Sequence, residues 1–388
     1  MPPKLLIIST VAMTQRAFLL PFAEHFRKLD WAVDGMAAGI ATCPTCRKAF
    51  DNIHEIDWTR NPLSPSNLTS AIARVRQVIL AGKYDIIHVH TPIASFVVRY
   101  ALRNWSKHDR PVMIYTAHGF HFHRNGYPLK NAAFLALEKL AGQWTDYLVV
   151  INHEDEYAAI TNGIVRPEQV QYMPGIGIDL KNYLTPSNNP SMIERTRLEL
   201  GIESRQFLLL MIASFDPGKR HRDILHAIAL LKRHDFVLAF AGVGPRHQEA
   251  IDLASALGVM DKVRFLGFRE DIPSLLRASL ATILPSEREG LPRSVMESLA
   301  LGVPVIGANA RGIRDLLASG GGLLVPIGDI LGFAQAMTYL LDQPEKAIQM
   351  GEQGRRSIEQ YDINNVLRLH EHLYCHALNI PMPTAKSS

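Results

Sequence analysis

The chain has 388 residues, 47% hydrophobic and 20% charged, with a formal net charge of +4 at pH 7. Such a length calls for two domains rather than one ordinary core, and the composition is that of a folded protein, not a disordered or fibrous one. So slight a basic excess, with no aromatic-basic motif, gives no support for a nucleic-acid partner, and no apolar run reaches the roughly 20 residues of a membrane-crossing helix.

The expectation is a cytoplasmic protein, peripheral at most to the inner face of a membrane. The positive charge is uneven, because residues 1–183 hold 19 Lys and Arg against 15 Asp and Glu, whereas the remainder holds 22 against 22. The first half is therefore the part expected to touch an anionic surface. Cys43 and Cys46 form an isolated CPTC for which a loop with free thiols is the expected state, since no second pair stands at zinc-ligand spacing and a metal would need His54 or another distant ligand. Cys375 reads as an ordinary helix residue.

Taken in order, Lys4 to Ser9 predicts a strand and Arg16 to Leu29 a helix bent at Pro21, with TVAMT as a loop between them. Trp31 to Ala37 predicts a second strand, and 38–65 is irregular, with turn residues Asn61, Pro62 and Pro65. A helix over 67–80 precedes Tyr84 to His90, where His88 and His90 share one strand face. The helix from about Ala94 to Trp105 carries Arg99 and Arg103 one turn apart, followed by Lys107, His108 and Arg110. This basic face reads as solvated or, less simply, as seated on anionic lipid with Trp105 at the interface. Val112 to Ala117 predicts a strand that ends in AHGFHFH, with His118, His121 and His123 at its tip and Gly119 free to approach a ligand. Tyr147 to Ile151 is another strand, NHEDEYAAI starts a helix with acids in its first turn, and GIGIDLKNY is a glycine-rich turn. Residues 184–190, LTPSNNP, read as the interdomain linker.

The second half repeats the pattern. Phe207 to Ala213 is a strand, SFDPGKRH a loop and Arg222 to Lys232 a helix, so Lys219 and Arg220 stand near a helix N-terminus, a combination suited to a diphosphate. Phe236 to Ala241 is a strand closed by Gly242 and Gly244, a helix follows over about 246–257, and Val263 to Phe268 is the next strand. Residues 281–307, ATILPSEREGLPRSVMESLALGVPVIG, then combine a buried strand, a loop, a helix opened by Pro292 and closed at Gly302, and another strand. Glu289 in the loop and Glu297 on the helix fit no apolar face; next to free helix N–H groups, they suit a phosphate joined to sugars. A strand over 323–326 and two helical stretches follow, and the tail PMPTAKSS is expected to be disordered.

With Glu289, Gly290, Pro292 and Glu297 on the page, the stretch resembles the E-x(7)-E signature of family-four retaining glycosyltransferases. The resemblance implies the GT-B fold, an α/β architecture of two Rossmann-like doubly wound domains facing a cleft. It places an acceptor-side domain at 1–183, a nucleotide-sugar domain at 184–361, and a last helix of about 362–380 that packs back on the first. HGFHFH resembles capsule and exopolysaccharide members and implies His118 as the histidine that meets donor sugar or acceptor. By the same resemblance Glu289 meets hydroxyls of the transferred sugar, Lys219 neutralises the leaving diphosphate, and Glu297 holds the ribose. Gly242, Gly244, Phe268, Arg269, Gly290, Leu291, Pro292 and Arg220 complete the donor site, with backbone near Phe268 and Arg269 holding the base. Ser214 stands where the family has an arginine, a place Arg220 or another side chain must fill. The N-terminal loop lacks the family's paired glycines, and Asp315, after Arg311 and Gly312, replaces a glutamate.

The resemblance implies sugar transfer from a nucleotide-sugar, a UDP-sugar first, to a glycan or lipid-linked acceptor, with retention and in polysaccharide biosynthesis. The resemblance implies transfer without a divalent metal, and no D-x-D pair is present to hold one; no cofactor is expected, the nucleotide-sugar being a substrate. By the same resemblance the departing phosphate is expected to take the acceptor's proton, and no protein nucleophile is assigned. Two other readings compete. A GT-B epimerase or hydrolase would turn over donor without acceptor, and a non-catalytic subunit would bind nucleotide weakly or not at all.

Overall fold

The computed structural model describes residues 2–59, 64–106, 108–123, 126–184 and 190–383. Asn61, Pro62, Lys107, all but the first and last residues of the expected linker, and the tail beyond residue 383 lie outside the described residues. The chain divides into two compact units, Met1–Ile176 with Asn364–Ser388, and Gly177–Ile363.

The first unit is built on seven parallel strands, β1 (Lys4–Val11), β2 (Ala32–Ala38), β3 (Ile53–Glu55), β4 (Ile86–His90), β5 (Val112–Ala117), β6 (Tyr147–Val150) and β7 (Val170–Tyr172). Their order is β3-β2-β1-β4-β5-β6-β7, with Ile7 paired to both Gly35 and His88. Leu5 to Ile8 are fully buried, as an uninterrupted apolar run in a sheet covered on both faces requires. The strand order reverses between β1 and β4, and open sheets of this kind bind ligands beyond the carboxyl ends of the strands at such a point.

Several expectations for this unit need correction. TVAMT is not a loop, because β1 runs on to Val11 and the chain is helical from Ala12, through a π-helical turn at Gln15–Leu19 into the helix Leu20–Lys28. Buried Gln15 anchors that turn, donating from Nε2 to the carbonyls of Ile7 (3.1 Å) and Met36 (3.4 Å). Pro21 thereby falls in the first turn of Leu20–Lys28, directly after the π-helical turn. The irregular stretch contains β3 and a short helix, Pro44–Ala49. That helix begins inside the CPTC motif and brings the Cα atoms of Cys43 and Cys46 to 5.3 Å, and the two form a disulfide instead of remaining free thiols. His54 is occupied by Tyr84 Oη (2.9 Å) and Asp34.

The basic face of the helix Pro92–Ala101 is also not what its charges suggest. Arg99 is 1% exposed, its guanidinium lying 4.3 Å over the Tyr115 ring and bonded to Glu138 Oε2 (3.1 Å), Thr145 Oγ1 (3.3 Å) and the Ser95 carbonyl (3.2 Å). It is a core arginine, neither solvated nor available to lipid. Arg103 stacks on Tyr100, and Trp105 packs against the core beside β4.

The second unit repeats the design with β8 (Phe207–Ile212), β9 (Phe236–Ala241), β10 (Val263–Gly267), β11 (Ala281–Leu284), β12 (Val305–Ala308) and β13 (Gly322–Val325), ordered β10-β9-β8-β11-β12-β13. Its reversal falls between β8 and β11. The expected β-loop-α-β element is present, with β11 parallel to β12 and the helix Arg293–Ala300 between them. Pro292 stands one place earlier than expected, as the extended residue capping the helix, and Gly302 ends it at φ 70°. The expected pair of C-terminal helical stretches is three helices, Ile330–Asp342, Pro344–Ser357 and Ile363–Leu378, because Pro344 starts a new helix and Ile358–Tyr361 is a tight 3-10 turn.

Candidate active site

In the second unit the two strands that flank the reversal each deliver one charged group. The chain leaving β8 turns through a 3-10 segment, Pro217–Lys219, and the loop leaving β11 carries Glu289; Lys219 Nζ and Glu289 Oε1 meet at 2.5 Å. Glu289 is held from behind, since Arg311 Nε donates to its backbone carbonyl at 3.1 Å. The loop's path depends on Gly312. A Cβ there would stand 1.9 Å from the Gly290 carbonyl oxygen, so the backbone at Gly290 and Leu291 lies directly on the start of the helix Arg311–Leu317. Pro292 is buried beside it, and no side chain caps the helix Arg293–Ala300.

Glu297, on that helix, is 9% exposed. Its Oε1 accepts from Tyr183 Oη at 2.8 Å and from Arg293 Nε at 2.9 Å. Burial, then the neighbouring carboxylate, raises the Tyr183 phenol to about 12, so it donates as a neutral hydroxyl at pH 7. A buried carboxylate positioned by two donors suits the diol of a ribose, which needs an acceptor fixed in place.

The other residues expected at a donor site follow the ends of β8, β9 and β10. A Cβ at Gly242 would lie 2.0 Å from the Ala213 carbonyl oxygen, and one at Gly244 2.6 Å from the Phe215 nitrogen, so the GVGP turn rests backbone to backbone on the loop that leads to Lys219. Phe268 is exposed beyond β10, and Arg269 is tied to Asp271 (2.7 and 2.6 Å) and Glu199 (2.5 Å). Arg220 sits in the left-handed region at φ 55°, which turns its side chain to Asp223 (2.6 Å) and Glu287 (3.6 Å). Ser214, at the expected arginine's place, bonds Asp216 instead.

In the first unit, Thr10 at the end of β1 and Thr91 after β4 join across the reversal, Oγ1 to Oγ1 at 2.7 Å. Beside them β4 and β5 assemble a histidine cluster. His118 Nε2 lies 3.0 Å from His90 Nδ1 with the rings stacked, and His90 in turn lies over His88, whose Nε2 meets Thr116 Oγ1 at 2.7 Å. The helix Ile363–Leu378 closes the cluster with Tyr374, hydrogen-bonded to His88, and His370, anchored to the Val366 carbonyl at 2.8 Å. Burial, and then the proximity of His370, holds His118 down to about 4; burial lowers His88 and His90 well below the usual value. His118 is therefore neutral at pH 7, with its proton assignment coupled to that of His90. His121 packs on Phe134, and His123 sits in a turn held by Asn131.

Against known proteins, residues 192–357 match the family described as glycosyl transferases group 1, and residues 16–175 match the glycosyl transferase 4-like domain. A putative glycosyltransferase of Bacillus subtilis, EpsD, is 34% identical over 362 residues, 92% of each chain. The chain belongs to the group 1 glycosyltransferases. An Escherichia coli relative, named UDP-Gal:alpha-D-GlcNAc-diphosphoundecaprenol alpha-1,3-galactosyltransferase, is 27% identical over 67% of each chain. Anabaena Alr3699/HepE, solved in complex with UDP, shares the fold with a TM-score of 0.79 at 21% identity, over 96% of this chain and 100% of its own. This glycosyltransferase thus has the GT-B architecture of two parallel-sheet Rossmann-like units that its sequence resemblance implies.

Some partners in the site lie too far apart in sequence to be read from it. Tyr183 is 114 positions from Glu297, and Tyr374 is 286 from His88. The shared face of His88 and His90, the His118 motif and the last helix implied to pack back on the first domain are legible in the sequence; that Tyr374 and His370 are the residues that close the cluster is not.

Proposed function

We propose that this glycosyltransferase moves a sugar from a UDP-sugar to a lipid-linked or glycan acceptor in the assembly of a capsule or exopolysaccharide. The observation that carries this reading is the Lys219–Glu289 pair at the strand reversal of the second unit, joined through one loop to the helix that bears the buried Glu297–Tyr183 pair. The relatives' names, which include a UDP-galactose donor and a diphosphoundecaprenol-linked acceptor, support the substrate classes.

In this proposal Lys219 meets the diphosphate, with help from the uncapped N-terminus of Arg293–Ala300, and stabilises the charge that develops as it leaves. Displacing Glu289 from Lys219 frees its carboxylate to accept hydroxyls of the sugar. Glu297 holds the ribose, and neutral His118 hydrogen-bonds a hydroxyl of sugar or acceptor. The bond between the anomeric carbon and the β-phosphate oxygen breaks, a bond to the acceptor oxygen forms on the same face, and the acceptor's proton passes to the departing phosphate oxygen. Cytoplasmic location follows from this donor class.

The test is product analysis with UDP-glucose, UDP-galactose and their N-acetyl forms, each with and without a polyprenyl-diphosphate sugar in detergent. Release of UDP that depends on acceptor and matches glycosylated lipid is expected. Turnover without acceptor would instead establish the hydrolase or epimerase reading, and no turnover with any donor the binding-subunit reading.

A further inference from the structure

Four imidazoles of the first unit stand in one column. From centroid to centroid, His370 lies 5.6 Å from His88, His88 4.2 Å from His90, and His90 5.2 Å from His118, with 25–31° between successive ring planes. The lower rings are fixed. His88 is bonded at both nitrogens, Nδ1 to Tyr374 Oη and Nε2 to Thr116 Oγ1 at 2.7 Å, and His90, 3% exposed, is clamped between His88 and His118. His90 therefore cannot turn its ring over, exchanging Nδ1 for the carbon opposite, without opening the column. At the upper end His90 Nδ1 and His118 Nε2 are 3.0 Å apart, and among the described residues neither His90 Nε2 nor His118 Nδ1 has a hydrogen-bond partner. Burial keeps both rings neutral at pH 7. A neutral imidazole has one N–H and one lone pair, so the N–H of one ring must face the lone pair of the other. The tautomer of either ring dictates that of its neighbour.

We propose that His90 is a positioning residue that holds His118 in its Nε2–H tautomer, accepting that N–H on its own Nδ1 and leaving the lone pair of His118 Nδ1 for a substrate hydroxyl. In this direction both rings take the Nε2–H form, which a free neutral histidine side chain favours. The reverse direction would put both in the less favoured Nδ1–H form. His118 is then an acceptor only toward its ligand. The group it meets must be a hydroxyl with a hydrogen to give, and an ether, carbonyl or phosphate oxygen in that place is refused. Tyr374 and Thr116 serve the same end one ring further down, because His88, held at both nitrogens, gives His90 a fixed plane to lie on. The meeting with substrate rests on the reading of His118 given above; the tautomer and its cause do not.

The test is NMR of the full chain labelled with heavy nitrogen in its histidine rings. Protonated and unprotonated ring nitrogens separate in chemical shift, and a scalar coupling between two nitrogens passes through a hydrogen bond that joins them. The signals that His118→Gln removes identify His118. The expected result is a protonated Nε2 and an unprotonated Nδ1 on His118, an unprotonated Nδ1 on His90, and a coupling from the first of these to the last. His118 protonated at Nδ1, or no coupling between the two rings, overturns the proposal on the wild type alone. His90→Phe keeps a ring in the column but offers no lone pair, and should lower kcat for transfer about tenfold, as expected for one lost hydrogen bond. His90→Asn, whose amide oxygen can stand where Nδ1 stood, should recover kcat to within about threefold of wild type. Both variants should keep the wild-type circular dichroism. Wild-type kcat in His90→Phe, or equal losses in the two variants, overturns the positioning role. If no donor supports transfer, the transferase reading fails while the tautomer and the coupling are still read from the wild type, so the two can fail separately.

Discussion

Replacing Lys219 by alanine is expected to lower kcat for sugar transfer by about 10²–10³-fold, with a much smaller change in donor KM. The diphosphate gains charge on its leaving oxygen as the glycosidic bond breaks, and an ammonium held at a strand end is worth more to that state than to the bound donor. Without ligand the ammonium is not free but paired to Glu289 at 2.5 Å, so part of its interaction is exchanged, not newly made. Glu289→Gln then separates the two roles. It releases Lys219 for the diphosphate while weakening the grip on the sugar, and should reduce transfer less than Lys219→Ala. Arg220→Ala is the informative comparison. With its guanidinium held by Asp223 and Glu287, it should cost transfer less than tenfold, and a loss equal to that of Lys219→Ala would assign Arg220 to the diphosphate.

Acid should destabilise the first unit steeply. His118 and His370 are held down to about 4, in both cases chiefly by burial, and His88 and His90 are lowered well below the usual value. In the unfolded chain these groups titrate near 6.5. Between that value and about 4 the unfolded state binds protons that the folded cluster refuses. Stability is therefore fully present above pH 6.5 and is lost as pH falls through the window. Each such histidine contributes a slope of about 1.4 kcal/mol per pH unit where only the unfolded form is protonated. All four tryptophans, Trp31, Trp58, Trp105 and Trp144, belong to this unit, so urea unfolding followed by tryptophan fluorescence reads it selectively. His370→Leu should make the slope between pH 6 and 5 shallower by about that amount. A midpoint that is level or rises on acidification would contradict the buried neutral cluster.

How far the sequence discloses this molecule depends on the range of each interaction. The element at 281–307 is legible because its punctuation is local, with Pro292 and Gly302 at the helix ends and apolar runs on either side. Alternation of strand and helix likewise discloses two parallel sheets. Arg99 misleads because its charge is visible in sequence and its partner, Glu138, is 39 positions away on another helix. The helix Pro128–Gly142 is hard to read for a related reason. Periodicity detects an apolar stripe but cannot say which side of the helix faces inward, and here Leu129, Leu137 and Leu140 face out. Strand β3 escapes because three residues, Ile53, His54 and Glu55, are too few to show alternation. Arg220 looks equivalent to Lys219 in sequence, and its left-handed backbone and its pairing with Asp223 and Glu287 are visible only in the structure.

The most direct measurement is thermal unfolding of wild type, Glu297→Ala and Glu297→Gln with UDP, GDP and ADP separately. UDP at a hundred times its dissociation constant stabilises the wild type by about 2.7 kcal/mol, and a domain of this size shifts about 2–4 °C per kcal/mol. The expected result is a shift of several degrees with UDP in the wild type and little or none in Glu297→Ala at the same concentration. Glu297→Gln, which retains an oxygen for Tyr183, should fall between. A UDP shift undiminished in Glu297→Ala would remove that residue from the site, and no shift with any nucleotide would contradict a nucleotide-sugar donor in the second unit.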